Sequence, residues 1–329
     1  MSGRAVWLTW KMHRFEVLVA IALLTLVGVS AWVVASHLNA ITVGPGCWPQ
    51  WQGDGGHLNA CQQLVSRWLD VNEHEAGQLT GFLGYLPALV GAIVGVPIVA
   101  RELEMRTVSL AWSLQGIRWG WLLSRLWPML LIAAVGGLLV GILTSQLEVA
   151  GEVSPFESGT IGDIARQGPV LFSRVVLALG VGLFSGAVVG RTLPAFVVAG
   201  LVVLAWLLVG GPKVEYAVAD SHISYATQQD AYGDTGYGTV HPLTYLDDAY
   251  RDPSGHITDG SLYDLLCTSY DAAGTDCPQS LFTGYEEMVK IVPQSARGDI
   301  ERADTAAGLA VGFLAILLTF PVVARRRPG

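Results

Sequence analysis

The chain has 329 residues, 52% of them hydrophobic and only 14% charged, with a formal net charge of −8. Soluble domains carry about 25% charged residues, so this composition excludes an ordinary water-soluble domain. No basic patch stands out against the acidic balance, which leaves no footprint for nucleic-acid binding.

Six apolar windows follow one another at residues 17–36, 80–100, 126–144, 169–190, 192–211 and 305–324. Each approaches the length of about 20 residues that crosses a hydrocarbon core of about 30 Å. Five are free of charge, and the fourth holds only Arg174, near one end, where a long side chain is expected to snorkel to the interface. The first window follows Arg4, Lys11 and Arg14, as a signal peptide would, but its apolar run exceeds that of a cleavable signal and reads as a retained span. Between the fourth and fifth windows stands "GRTLPA", Gly190 to Ala195. Arg191 is costly at mid-membrane and Pro194 suits the first turn of a helix, so a tight hairpin is expected there. The expected organisation is a membrane domain over 1–212, an extracellular domain over 213–303, and a last span with a basic tail over 304–329.

Six spans beginning inside place both termini, the second loop and the "GRT" turn in the cytoplasm. Those segments hold eleven Lys/Arg and three acids, whereas the other loops hold seven basic and 23 acidic residues. The positive-inside rule is satisfied throughout, including the closing "ARRRPG". All four cysteines fall on the outer side, Cys47 and Cys61 in the first loop and Cys267 and Cys277 in the last. Their even number on the oxidising face suggests two disulfides, with the local pairing favoured among three.

The 213–303 segment holds 15 acids, five bases and nine of the chain's ten tyrosines. Disordered segments are poor in aromatics, so an ordered domain is expected, its tyrosines building a core or facing a ligand. Within it, Leu281 to Pro293 has the apolar spacing of a helix.

None of the six windows carries Asp, Glu, Lys or His at its centre. Ion-coupled transport generally needs such groups, so a proton- or ion-driven pump is not indicated. No H-E-x-x-H and no G-x-S-x-G is present. The three lysines, Lys11, Lys213 and Lys290, do not follow glycine, so a P-loop cannot be written. An enzyme is not expected, nor a metal or cofactor on this chain.

The largest cytoplasmic loop, Arg101 to Arg125, packs Arg101, Glu102, Glu104 and Arg106 into six residues and then turns half apolar. Leu103, Leu110 and Leu114 suit a short amphipathic helix along the interface. Trp112, Trp119, Trp121 and Trp127 suit headgroup depth.

The stretch "GVPIVARELEMRTVSLAWSLQGIRWGWLLSRL" resembles the cytoplasmic loop of type-2 ABC exporter permeases, especially actinobacterial ones. The start, "LTWKMHRFEVLVAIALL", the "GRTLPAF" hairpin and the triple-arginine tail resemble the same family, with Arg106 where it usually has Gly. The resemblance implies an all-α polytopic fold of six transmembrane helices with an N-terminal amphipathic helix, a cytoplasmic coupling helix and a large extracellular insert before the last span. It implies a homodimeric permease in the plasma membrane, with ATP and Mg held by two copies of a separate ATPase subunit. Carried onto this chain, the ATPase-coupling residues are Arg101, Glu102, Glu104, Arg106, Thr107, Arg118 and Arg125. Arg4, Trp7, Trp10, Lys11 and Arg14 form the N-terminal brace. Phe82, Tyr85, Leu86, Phe196 and Trp206 line the pathway, and Pro87 and Pro97 kink the second span. Such a lining suits a hydrophobic or amphipathic cargo: a drug, an antibiotic, a lipid or a peptide. The competing reading is a non-transporting sensor whose extracellular domain binds a ligand, but no cytoplasmic segment is long enough for an output domain.

Overall fold

The computed structural model describes residues 3–43, 60–105, 118–151, 164, 168–227, 230, 242–273 and 277–325. Nine helices and four strands are built from these residues. They are α1 (Gly3–Ala40), α2 (Ala60–Asp70), α3 (Gly77–Glu104), α4 (Arg118–Gly151), α5 (Gly168–Val189), α6 (Thr192–Ala205) and α7 (Gly211–Asp220), followed by β1 (Ser224–Thr227), β2 (Pro242–Arg251), β3 (Ile257–Asp259), α8 (Leu262–Ala273), β4 (Glu286–Pro293) and α9 (Arg297–Arg325). Six helical stretches are long and apolar enough to cross a membrane: Ile21–Ala40, Ala60–Glu104, Arg125–Leu147, Gly168–Val189, Thr192–Asp220 and Gln294–Arg325. Each contains or overlaps one apolar window, and the chain is a multi-pass membrane protein.

Helix α5 is the centre of the bundle, with 78% of its apolar window buried against 17% for the span that follows. Small residues let its neighbours approach. Gly91 and Gly95 of α3 lie against Ala178 and Leu179, where a Cβ on Gly95 would stand 2.5 Å from the Leu179 carbonyl oxygen. Gly182 and Gly186 of α5 return the contact, a Cβ on Gly186 reaching within 2.7 Å of the Val96 oxygen. Gly308 and Gly312 of α9 do the same on the opposite face, against Ser173 and Leu177. Lipid supplies no hydrophobic drive between helices, so close backbone approach through paired small residues takes its place. Leu83, Leu86, Val90, Leu171, Leu179 and Leu183 form one core with Ile316 and Phe320. Ala195, Ala199 and Val203 of α6 pack with Ala178 and Val181 in a second.

The hairpin between α5 and α6 turns on Gly190, whose φ of 70° lies in the left-handed region. Pro194 falls in the first turn of α6, where a missing N–H costs nothing. Helices α2 and α3 are joined without a break by a π-helical turn, Val71–Ala76, giving 45 continuous helical residues. Gln62, Val65 and Trp68 of α2 are buried, the last two in a core with Val34, Ala35 and Leu38 of α1. A second π-helical turn, Trp206–Gly210, joins α6 to α7.

Three expectations are corrected by these elements. The chain is mostly helical but not all-α, because residues 224–293 carry a four-stranded antiparallel sheet in the order β1-β4-β2-β3. Leu281 to Pro293 is not a helix but a short 3-10 turn, Gln279–Phe282, followed by the inner strand β4. No separate amphipathic helix precedes the first span, since α1 runs uninterrupted for 38 residues and the brace segment is its first part. The last, like the spans, is a matter of local propensity: Gly3 to Ala40 contains no proline and no glycine between Gly3 and Gly28 to stop a helix.

Leu243, Val292, Ala296 and Ile300 pack with Val170 and Ala219, which seats the sheet on the ends of α5, α7 and α9. Tyr216, Tyr225 and Tyr263 are exposed and Tyr245, Tyr250 and Tyr285 half-buried, so aliphatic residues rather than tyrosines make this core. The Tyr250 and Tyr285 rings meet edge-on at 6.1 Å. Cys267, fully buried, is disulfide-bonded to Cys277, and Cys61 is also disulfide-bonded, while Cys47 lies outside the described residues.

Candidate functional site

Two ionic clusters stand at opposite ends of α5. The first joins the stems of the 101–125 loop. Glu102, on the last turn of α3, forms a buried ion pair with Arg125 of α4, their side chains 6% and 11% exposed. The two helices that enter and leave the loop are therefore clasped at its base. Glu104, two residues on, is exposed and turns to the hairpin instead. Its Oε2 accepts the Thr192 backbone N–H at 3.0 Å and the Thr192 hydroxyl at 2.7 Å. Thr192 opens α6, so a carboxylate meets the positive end of a helix dipole and takes up one of its orphan N–H groups.

The other loop residues divide by position. Arg101 is exposed on α3. Arg106 and Thr107 lie outside the described residues, as does the stretch 106–117 expected to form the coupling helix. Arg118 begins α4, though nothing is described of its side chain. Arg4, Trp7, Trp10 and Lys11 share α1 with Arg14, of which only Arg14 has a described side chain, and it is exposed.

The pathway residues do not converge on one surface within the chain. Phe82 and Tyr85 are exposed on α3, at 48% and 55%. Leu86 is buried in the main core, and Phe196 and Trp206 pack with the α6 cluster. The Trp206 indole N–H is buried without a hydrogen-bond partner. Helix α3 continues through Pro87 and Pro97 to Glu104.

The second cluster was not legible from sequence. Arg174 does not snorkel; it is 4% exposed, and its Nη2 donates to Glu215 Oε1 and to Asp304 Oδ2, each at 3.2 Å. Glu215 and Asp304 are 2% and 1% exposed. One guanidinium thus ties α5, α7 and α9 together. Glu215 lies beyond the fifth apolar window and Asp304 just before the sixth, so neither registered as intramembrane. The signal was Arg174 itself, because a charge in an apolar helix requires a partner. Outside this cluster, His222 Nε2 meets Asp299 Oδ2 at 3.2 Å, a further link between the ends of α7 and α9.

The arrangement consists of two sets of ionic contacts, one at the loop base and one under the sheet, at either end of a close-packed central helix. A family model described as ABC-2 membrane transporter related matches residues 15–214. The match takes in the first four candidate spans and most of the fifth, and ends before β1. No curated protein and no solved structure matches the chain.

Proposed function

The chain belongs to the ABC-2 membrane transporter related family, and from that premise we propose that it is the permease subunit of an ATP-driven exporter. Two copies form the pathway in the plasma membrane, and two copies of a separate ATPase subunit supply the energy. Both termini and the 101–125 loop lie in the cytoplasm, in keeping with the distribution of Lys and Arg. The sheet-bearing segment, within 213–303, is the extracellular domain. The cargo is hydrophobic or amphipathic, in keeping with the aromatic and aliphatic side chains of Phe82, Tyr85, Leu86, Phe196 and Trp206.

The observation that carries this reading is the pair of contacts at the loop base. A loop that received force from an ATPase would need stems that move as one body and a link onward to another span. The Glu102–Arg125 clasp supplies the first and the Glu104–Thr192 contact the second. In this scheme Arg101, Arg106, Thr107 and Arg118 meet the ATPase surface, where complementary charge favours specific association. Arg4, Trp7, Trp10, Lys11 and Arg14 brace the loop from the first turns of α1.

The test is to tag the chain at its C-terminus, extract it gently from its native membrane and identify what accompanies it. A near-equimolar P-loop ATPase is the expected companion. Recovery with a kinase, or without any ATPase, would overturn the reading.

A further inference from the structure

We propose that Glu215 and Asp304 share one bound proton beside Arg174, so that the cluster is a buried proton-binding site under the sheet. The three side chains lie at a common depth. Arg174 lies six residues into α5, Glu215 five residues before the end of α7, and Asp304 seven residues into α9. At 1.5 Å per residue, all three stand roughly 7–11 Å inside the ends of their helices. Side chains 130 positions apart in sequence thus meet at one level.

Two carboxylates and one guanidinium leave a net charge of −1 when all are ionised, in a cluster whose members are each no more than 4% exposed. An uncompensated carboxylate buried among apolar helices costs several kcal/mol or more, and such groups neutralise instead. The guanidinium carries one positive charge and can offset only one of the acids; its Nη2 serves both, while its Nε has no hydrogen-bond partner. The Glu215 and Asp304 side chains also hydrogen-bond to each other, so a proton can be held between them, as in acid pairs that share one.

Among the described residues, no second cation contacts Glu215 or Asp304. Helix α5 has no second ionisable residue, and α6 with the Trp206–Gly210 turn has none. On α7, Lys213 and Asp220 are exposed. On α9, Arg302 is exposed and, with His222, is engaged by Asp299, while Arg297 and Glu301 are half-buried. Helix α3 has its ionisable side chains at its far end, apart from Tyr85, and α4 adds Glu148, whose side chain is not described. Gly211 closes the cluster from α7; a Cβ there would stand 3.3 Å from Arg174 Nη2 and 3.6 Å from Asp304 Oδ1. Binding one proton changes the cluster from −1 to neutral. Losing it sets two carboxylates against each other beneath the sheet. This inference does not depend on the exporter reading.

The test is infrared spectroscopy of the full chain in lipid nanodiscs at neutral pH, in water and deuterium oxide. The wild type is expected to show the C=O stretch of one protonated carboxyl, shifted on deuteration and lost at alkaline pH. Glu215→Gln and Asp304→Asn should each abolish that band, because the remaining carboxylate is then balanced by Arg174. Both changes are nearly isosteric, and thermal unfolding checks that each variant folds. Absence of such a band in the wild type, or its survival in both variants, would overturn the proposal. So would stabilisation of the wild type, but not of Asp304→Asn, by sodium over choline, since the compensating charge would then be a metal cation.

Discussion

Glu104 holds both the backbone N–H and the hydroxyl of Thr192, although 88 positions separate them. This contact links the end of the second span to the start of the fifth, next to the turn at Gly190. If the 101–125 loop transmits motion, Glu104→Ala and Thr192→Val should each reduce cargo-dependent ATP hydrolysis while leaving thermal unfolding nearly unchanged. The double variant should lose no more than the worse single one, since both remove the same contact. Additive losses would show that the two residues act separately.

The Glu102–Arg125 pair behaves differently because it is buried. Removing one partner of such a pair leaves an unpaired charge and costs about 3–5 kcal/mol. Arg125→Ala or Glu102→Ala should therefore lower the unfolding temperature clearly in detergent. Replacing both by apolar residues of similar volume should recover much of the loss. Equal destabilisation by single and double changes would mean that packing rather than charge is at stake.

Close helix approach gives a steric prediction. A Cβ at Gly312 would stand 2.9 Å from backbone atoms of Leu177, so Gly312→Val must push α9 from α5. Overpacking of this kind costs about 1–3 kcal/mol. Gly200 on α6 has nothing within 4 Å of a Cβ, and Gly200→Ala should be neutral or slightly stabilising. Thermal unfolding of the two variants, side by side, checks the pair.

The sheet carries a pH-sensitive surface contact. Asp259 accepts hydrogen bonds from Lys290 Nζ at 2.6 Å and the Tyr225 hydroxyl at 2.8 Å. The Lys290 ammonium first, and the Tyr225 hydroxyl second, hold the Asp259 carboxyl below its ordinary range. The bond to Asp259 in turn raises Lys290 and Tyr225. A depressed carboxyl stabilises the fold above its unfolded pKa of about 3.9, and that contribution is lost as pH falls through the folded value. The raised Lys and Tyr stabilise below about 10, and theirs is lost as pH rises through their folded values. Hydrogen-exchange protection of β1, β3 and β4, corrected for the intrinsic pH dependence of exchange, should be highest between those limits, and Asp259→Asn should flatten both edges.

The membrane portion was legible because charge-free windows long enough to span have few alternatives, and the "GRT" turn announced itself through Arg191 and Pro194. Strand β4 was not, for a physical reason. Met288, Val289, Ile291 and Val292 are all buried, so the apolar residues recur in pairs every three positions, as on a helix, rather than alternating. An inner strand covered on both faces loses the period of two. Arg174 was visible but its partners were not, since Glu215 and Asp304 lie outside the apolar windows and meet it only through the packing of α7 and α9 on α5. Glu102 and Glu104 were legible as a pair of acids, yet nothing in their spacing separates the buried one from the exposed one.

The most direct test of the central claim is ATP hydrolysis by the companion ATPase, measured alone and after reconstitution with this chain in lipid. A permease account predicts that the rate changes when the chain is present and that Glu104→Ala returns it toward the value of the ATPase alone. An unchanged rate, with the two proteins shown to be in the same membrane, would contradict it.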